Sequence, residues 1–356
     1  MRKIYFTPGP SQLYFTIEEH FKSALTENIG SISHRGEQFK KIHQHADNGL
    51  RNLLNIPENF NIIFTSSATE IWERIIQSCV IENTTHLVNG AFSNKFYQTA
   101  TQLGINANKI EATDGTCASI NDIGIDSNPE LIAFTHNETS TGASQPLDDI
   151  YKAREQFPNA LIAVDAVSSL PYIDIDYTKV DSVYFSVQKC FGLPSGLGVW
   201  IVNDRCVEAT LKKESLRKST GSSFRLSNSF KMAMNHQTPA TPNVLGIYLL
   251  GKVVEDMNLK GIDMIRREID YKAAVLYNAI NQHDTLSPFV KEIQHQSKTV
   301  VVAETEKSAE IIEKLGKKGF VLGTGYGKYK SKHIRIANFP THSKEQIEML
   351  SDLLLL

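Results

Sequence analysis

The sequence predicts an α/β protein with a mainly parallel sheet in a large domain and a smaller α+β domain after it. Short apolar runs alternate with longer stretches of helical periodicity through the middle of the chain, which is typical of a parallel sheet covered by helices. Beyond about Thr241 this alternation ends, and two long helical stretches precede the next apolar run. The length of 356 residues also favours two domains over one compact core.

Six short apolar runs in the first part of the chain are predicted to be strands. They are rich in β-branched and aromatic residues and nearly free of charge, as expected of strands buried on both faces. The predicted strands cover 61–65, 86–89, 131–135, 161–165, 182–185 and 198–202. The last strand follows its predecessor too closely for a helical crossover, so we expect this pair to be antiparallel.

Helices are predicted where apolar residues recur three and four positions apart. In the stretch 69–80, for example, Ile71, Ile75 and Ile76 lie on one helical face. The same periodicity predicts helices over 93–103 and 148–156 and, in the smaller domain, over 244–257, 261–282, 306–315 and 344–355, with strands over 298–302 and 334–336. We place the large domain at 12–245 and the small domain at 246–356, with residues 1–11 packing near the latter.

Composition argues against several classes of partner. The chain has 37 basic and 39 acidic side chains, and a formal net charge of −2 gives no support to a nucleic-acid or membrane-surface function. No apolar run approaches the roughly 20 residues of a spanning helix, and the first residues lack the apolar core of a signal peptide. The four cysteines fit neither a zinc site nor a disulfide framework. We expect a cytoplasmic protein with reduced thiols and no metal.

Polar and aromatic residues follow the predicted strands at the edge where open α/β sheets bind ligands. The segment 66–69 lies between a strand and a helix, where free backbone N–H groups favour an anion such as phosphate; an ordinary N-cap is the alternative. Phe92 follows the second strand, either as an exposed ring or as a core residue. The turn 137–142, which follows the third strand, offers several hydroxyl groups.

Two ionisable residues complete this edge. Asp165 ends the apolar strand 161–165, where a carboxylate needs a partner unless it caps a turn. Lys189 follows the strand 182–185 and precedes a glycine-rich stretch, 192–198. Burying an ammonium group is costly unless the group is paired or neutralised, so a lysine at this position needs a functional reason.

Together these residues suit a site for pyridoxal 5′-phosphate (PLP). A lysine amine can bind the cofactor aldehyde covalently, and a buried carboxylate can keep the pyridine nitrogen protonated, which makes the ring an electron sink. An aromatic side chain can stack on the ring, and a helix N-terminus can bind the phosphate. The glycines allow the backbone to approach the cofactor closely.

The chain resembles the fold-type I, class V PLP-dependent aminotransferases over nearly its full length. The resemblance is carried by Asp165-Ala-Val-Ser-Ser, by Ser186-Val-Gln-Lys with its following Gly-Leu-Pro-Ser-Gly, and by His136-Asn-Glu-Thr-Ser-Thr-Gly. Within the class, the segments 7–11, 33–35, 237–241 and 335–338 are most similar to phosphoserine aminotransferases. The resemblance implies a seven-stranded sheet, a homodimer with shared active sites, and amino-group transfer between phosphoserine and 2-oxoglutarate.

The resemblance also implies a role for each matching residue. Lys189 and Asp165 would be catalytic, and Arg335 would bind the substrate α-carboxylate through its two-pronged guanidinium group. His34 and Arg35 would bind the distal phosphate of phosphoserine. The cofactor would be held by Ala68, Thr69, Phe92, Thr139, Asp165, Gln188, Lys189 and, from the neighbouring subunit, Gln237 and Thr238.

Three positions depart from the family pattern. Phe92 and Gln237 stand where the family usually has tryptophan and asparagine. A second His-Arg pair, common in bacterial members shortly before the carboxylate-binding arginine, is absent; Lys328 or Lys330 would replace its charge, or the loop is simply solvated. Two alternatives therefore stay open: a serine or alanine:glyoxylate aminotransferase, and a scaffold without activity. A cysteine desulfurase is disfavoured because no cysteine follows Cys206.

Overall fold

The computed structural model describes residues 3–124 and 127–356 and contains a central seven-stranded sheet. In chain order, its strands are β2 (Phe60–Thr65), β3 (Asn83–Val88), β4 (Asn106–Glu111), β5 (Leu131–Thr135), β8 (Leu161–Asp165), β9 (Ser182–Ser186) and β10 (Gly198–Asn203). Their spatial order is β2-β10-β9-β8-β5-β3-β4. The strands run parallel except β10, which is antiparallel to both β2 and β9. This pairing confirms the predicted mainly parallel sheet and its antiparallel pair.

Helices cover the large sheet because its strands are apolar on both faces. The helices of this part of the chain are α1 (Ile17–Thr26), α2 (Glu37–Leu54), α3 (Ala68–Cys79), α4 (Ala91–Gln102), α5 (Leu147–Gln156), α6 (Asp204–Ser215), α7 (Leu226–Ala233) and α8 (Val244–Lys260), of which α3, α4, α6 and α7 contact the sheet strands directly. Helix α3 buries Ile71, Ile75 and Ile76 on one face, as its periodicity predicts. Helix α8 packs against α2.

A second, smaller sheet has five strands. It consists of β1 (Ile4–Phe6), β11 (Ser287–Pro288), β12 (Val300–Glu304), β13 (Phe320–Thr324) and β14 (His333–Ala337), in the spatial order β1-β13-β14-β12-β11. It packs with α9 (Ile262–Gln282), α10 (Ser308–Lys317) and α11 (Lys344–Leu355) around a separate apolar cluster. Strand β1 pairs in parallel with β13, so the start of the chain joins the smaller unit.

A two-stranded ribbon, β6 (Asn137–Glu138) and β7 (Ala143–Ser144), lies in the turn that follows β5. Within residues 3–124 and 127–356, none of the helices has both the length and the apolar character needed to cross a membrane.

The α/β architecture predicted from the sequence is confirmed, and most element boundaries agree to within a few residues. The sequence predicts no elements for α1, α2, α6, α7, β1, β4 or β13. Strand β4 shows why: its sequence, NANKIE, is polar, and its residues are half-buried or exposed at the sheet edge. Apolar runs identify buried strands but not solvated edge strands.

Candidate active site

The residues predicted to carry the chemistry meet at the carboxyl edge of the large sheet. Asp165 is the last residue of β8, and Lys189 lies three residues beyond β9. One pocket there is lined by eight of the predicted residues: Ala68, Thr69, Phe92, Thr139, Asp165, Gln188, Lys189 and Arg335. Parallel strands place their carboxyl ends side by side, which brings residues distant in sequence into one cavity.

Lys189 is buried in this pocket, and its amine loses its proton more readily than that of an exposed lysine. Its side chain is 7% exposed, and its Nζ donates a 2.7 Å hydrogen bond to Oγ1 of Thr139. Burial lowers the pKa of Lys189 to about 8, although the negative charge of Asp165 partly opposes this shift. At neutral pH roughly a tenth of the amines are therefore unprotonated, far more than for an exposed lysine. Gly9 leaves room for this side chain, since a Cβ there would lie 2.9 Å from Cε of Lys189.

Asp165 is a buried carboxylate with one hydrogen bond on each oxygen. Its Oδ1 accepts from the backbone N–H of Val167 at 3.0 Å, and its Oδ2 accepts from Nε1 of Trp72 at 3.2 Å. Burial raises the pKa of Asp165 to about 6, while these two donors and Lys189 act against that rise. Asp165 is therefore mainly ionised at neutral pH, and each oxygen keeps a lone pair for a further donor.

The N-terminus of α3 forms one side of the pocket. Ser67 caps the helix by accepting a hydrogen bond from the N–H of Glu70 at 3.3 Å. The N–H of Ala68 donates to Oγ of Ser186 at 2.8 Å. Gly198 permits this loop to approach the sheet, because a Cβ there would lie 2.5 Å from the carbonyl carbon of Ser67. Ala68 and Thr69, the first two residues of the helix, line the cavity, so the positive end of the helix dipole lies beside it, as a phosphate requires.

Glu138 fixes the aromatic and hydroxyl-bearing walls of the pocket relative to each other. It is fully buried, and its Oε2 accepts from the N–H groups of Phe92 and Ser93 and from Oγ of Ser93, each at 3.0 Å. Its Oε1 accepts from the N–H and Oγ of Ser140 at 3.1 and 2.7 Å. Gly90 is required beside it, since a Cβ would lie 2.3 Å from Cγ of Glu138. A carboxylate with this many donors holds its neighbours rigidly.

Arg335 approaches the pocket from the smaller sheet. Its Nε donates to the carbonyl oxygen of Thr324 at 2.7 Å, and its Nη1 donates to the carbonyl oxygen of Thr139 at 3.1 Å. Its guanidinium carbon lies 5.4 Å from the ring centroid of Tyr326, which in turn lies 5.3 Å from the ring of Phe92. The arginine therefore links the smaller sheet to the turn that contains Thr139, beside the two rings.

Lys328 forms an ion pair across the two units with Asp114, which also accepts a 2.5 Å hydrogen bond from the hydroxyl of Tyr329. A second link runs from Nζ of Lys95 to the hydroxyl of Tyr326 at 2.8 Å. The charge of Lys328 is thus engaged by a carboxylate outside the pocket.

A second group of predicted residues lies together but apart from this pocket. Arg35 donates to Oε1 of Gln237 at 3.1 Å and to the carbonyl oxygen of Thr238 at 2.7 Å. His34, half-buried, precedes it in the chain. Among residues 3–124 and 127–356, none of these four lines the Lys189 cavity of the same chain.

Nine of the residues that line the pocket are not among the predicted site residues, and Trp72, Ser186 and Tyr326 are three of these nine. Trp72 has the pattern of a core residue on an amphipathic helix, and only its position one turn after Ala68 could have indicated the site. Ser186 directly precedes the Val-Gln-Lys segment and fits a strand equally well. Tyr326 lies in the same glycine-rich loop as Lys328 and Lys330, where the sequence draws attention to the charges and not to the aromatic rings.

The residues present fit PLP by the chemistry of their donors. A helix N-terminus suits its phosphate, an ionised buried carboxylate suits a protonated ring nitrogen, and a lysine with a lowered pKa suits its aldehyde. The centroid of the Phe92 ring lies 5.3 Å from Nζ of Lys189, so this aromatic side chain would offer the cofactor ring a stacking surface.

Comparisons with known proteins agree with this geometry. A solved phosphoserine aminotransferase, SerC from Cytophaga hutchinsonii, is 47% identical with a TM-score of 0.97, covering 99% of this chain and 98% of its own. A curated phosphoserine aminotransferase from Corynebacterium glutamicum is 27% identical over 97% of this chain and 92% of its own.

The fold is also shared with a more distant protein, a PLP-bound phosphoserine aminotransferase from Trichomonas vaginalis, with a TM-score of 0.83 at 19% identity and 99% coverage of both chains. The family model described as aminotransferase class V matches residues 7–332, which is most of the chain. The chain therefore belongs to the class V aminotransferases.

Proposed function

We propose that this protein is a PLP-dependent phosphoserine aminotransferase that exchanges an amino group between phosphoserine and 2-oxoglutarate and serves serine biosynthesis. The observation that carries the proposal is the convergence of a buried Lys189, an ionised Asp165 and Arg335 on one cavity. The 47% identity with the Cytophaga hutchinsonii enzyme supports the same substrate.

Each residue has a separate task in this proposal. PLP supplies an electron sink that weakens the Cα–H bond of a bound amino acid. Lys189, as a neutral amine, would take the proton from the substrate Cα and return it to the cofactor carbon that carried the aldehyde. Its hydrogen bond to Thr139 orients Nζ for this task. Asp165 keeps a proton on the pyridine nitrogen. Arg335 binds the α-carboxylate, with its remaining N–H groups directed away from the carbonyls of Thr324 and Thr139.

The distal phosphate of the substrate is assigned to His34 and Arg35. Lys328 is a poor candidate because Asp114 already neutralises it. Arg35 is exposed and is held by Gln237 and Thr238, so the three residues form one unit, here called the Arg35 unit. We propose that this unit serves the pocket of the partner subunit, with Gln237 and Thr238 on the cofactor phosphate and Arg35 on the substrate.

Arg35→Ala is expected to weaken phosphoserine turnover by about one to two decades in kcat/KM, because a charge-assisted hydrogen bond to a phosphate is worth roughly 1.5–3 kcal/mol. Serine or alanine turnover should stay nearly unchanged. Because Arg35 also holds Gln237 and Thr238, the PLP dissociation constant is measured in parallel, so that loss of cofactor is not mistaken for loss of substrate affinity.

Arg335→Ala provides the comparison. Every amino-acid substrate carries the α-carboxylate, so this variant should lose turnover of phosphoserine, serine and alanine to the same extent. Equal losses on phosphoserine and serine in the Arg35 variant, at unchanged PLP affinity, would reject the phosphate role. A serine or alanine:glyoxylate aminotransferase would then be the better assignment.

A homodimer with shared sites is expected from sedimentation at working concentration. Coexpression of Lys189→Ala with Arg35→Ala chains tests the sharing directly. If Arg35 acts across the interface, each mixed dimer contains one intact site, and random pairing should restore about a quarter of wild-type phosphoserine turnover. An active monomer, or no recovery in isolated mixed dimers, would contradict the proposal.

We also propose a cytoplasmic location for the protein, because its four cysteines are free thiols, as is usual in a reducing compartment.

A further inference from the structure

Trp72 lies one turn into α3, beside the cavity and next to the carboxylate of Asp165. It is 3% exposed, lines the pocket, and its Nε1 is 3.2 Å from Oδ2 of Asp165. Resting on the proposed PLP function, we infer that Trp72 is a positioning residue for the reaction, which holds Asp165 oriented and ionised toward the cofactor ring.

The indole ring cannot easily turn away from Asp165. It stacks on Phe96 of the neighbouring helix α4, with ring centroids 5.7 Å apart and an angle of 15° between planes. Phe96 is itself fully enclosed, with His86 and Tyr184 packed against its edge. An indole N–H is a donor only, so its hydrogen bond selects one orientation of the carboxylate.

The remaining donor on Asp165 fixes the second oxygen. The N–H of Val167 binds Oδ1 from the same strand end, so the two donors approach from different elements and define the carboxylate plane. Lys189 attracts the carboxylate and Glu138 repels it, and both act at longer range than the two hydrogen bonds. Without the indole N–H, Oδ2 loses its only side-chain donor among the described residues.

Loss of the indole N–H has a defined chemical consequence. Each hydrogen bond from Trp72 or Val167 stabilises the ionised form and works against the rise in the pKa of Asp165 caused by burial. A carboxyl group that gains a proton becomes a donor and no longer favours protonation of the ring nitrogen. The cofactor should therefore bind less tightly. The pH at which the spectrum of the bound cofactor changes should be higher in the variant than in the unmodified protein, because the pKa of Asp165 is raised.

Trp72→Phe removes the N–H and keeps an aromatic ring on Phe96. The chain offers a matched control, because its second tryptophan, Trp200, is fully buried and donates to Oγ of Ser182 at 2.8 Å outside the pocket. PLP alone is titrated into the cofactor-free dimeric protein and the dissociation constant is measured by equilibrium dialysis. We expect about a tenfold weakening for Trp72→Phe and less than a twofold change for Trp200→Phe.

A double-mutant cycle separates positioning from simple packing. In an Asp165→Ala background, Trp72→Phe should change the PLP dissociation constant less than twofold, because the group it orients is gone. The same tenfold loss in both backgrounds, or no loss in either, would overturn the inference. If the unmodified protein binds no PLP, the proposed function itself fails, which is a different outcome. Unfolding midpoints of all variants are recorded to exclude misfolding.

Discussion

Lys189→Ala is expected to abolish amino-group transfer while leaving the fold intact. The variant loses the only amine hydrogen-bonded to Thr139 among the described residues, and with it the base at the substrate Cα. General-base catalysis alone contributes two to four decades, so we expect a loss of about a thousandfold or more. Folding should not suffer, because removing a desolvated amine from the cavity relieves a burial cost. The measurement is the steady-state rate together with the unfolding midpoint.

Lys272 supplies a matched control for this variant. It is buried even more completely than Lys189, at 1% exposure, but its Nζ donates to the carbonyl oxygens of Phe339 and His342 at 2.9 and 2.8 Å, outside the pocket. Lys272→Met should lower stability and keep turnover, which is the reverse of the Lys189 result. Substantial transamination by Lys189→Ala would remove the basis of the assignment. External methylamine, which can enter the vacated space, should restore part of the lost rate.

Asp165→Asn should keep some cofactor, bound less tightly, and lose most of the rate, by roughly a hundredfold. The amide has nearly the same shape, and its carbonyl oxygen can still accept from Trp72 or Val167. Its NH₂ group then meets the other donor, and no negative charge is left to keep a proton on the ring nitrogen. The electron sink weakens, while phosphate binding at the N-terminus of α3 is untouched. The test compares single-turnover rates at saturating PLP.

A matched change outside the pocket separates this effect from general loss of a buried carboxylate. Asp181 is equally buried and binds Arg154 and Arg205. Asp181→Asn should reduce stability with little effect on the single-turnover rate of the folded protein. Near-normal turnover of Asp165→Asn would mean that the carboxylate only caps a turn.

Much of the site could be predicted because its residues sit at strand ends. Asp165 at the end of one apolar strand and Lys189 just beyond another are out of place there, and that local conflict is visible in the sequence alone. The polar turn containing Thr139 and the start of α3 follow the same rule, since strand ends in a parallel sheet share one edge. The segments that match the family added roles to these positions.

The rest depends on contacts between distant segments. The Trp72–Asp165 hydrogen bond joins α3 to β8, and nothing in the local pattern separates a tryptophan donor from a core tryptophan. The ion pair of Lys328 with Asp114 also links the two units, so the free charge expected of that lysine could not be judged from its loop. Polar edge strands such as β4 are not predicted from the sequence, because they bury little apolar surface and so lack an apolar run.

The pairing of β1 with β13 has a consequence for how the protein is made. Residues Ile4, Tyr5 and Phe6 leave the ribosome early, yet their partners are Phe320, Val321 and Leu322. Until those partners are synthesised, the segment containing Gly9 has no sheet to anchor it beside Lys189. Contacts this distant in sequence close a long loop and therefore form slowly. A chain released prematurely would lack both this wall and Arg335, so only a nearly finished polypeptide can assemble a pocket that captures a reactive aldehyde.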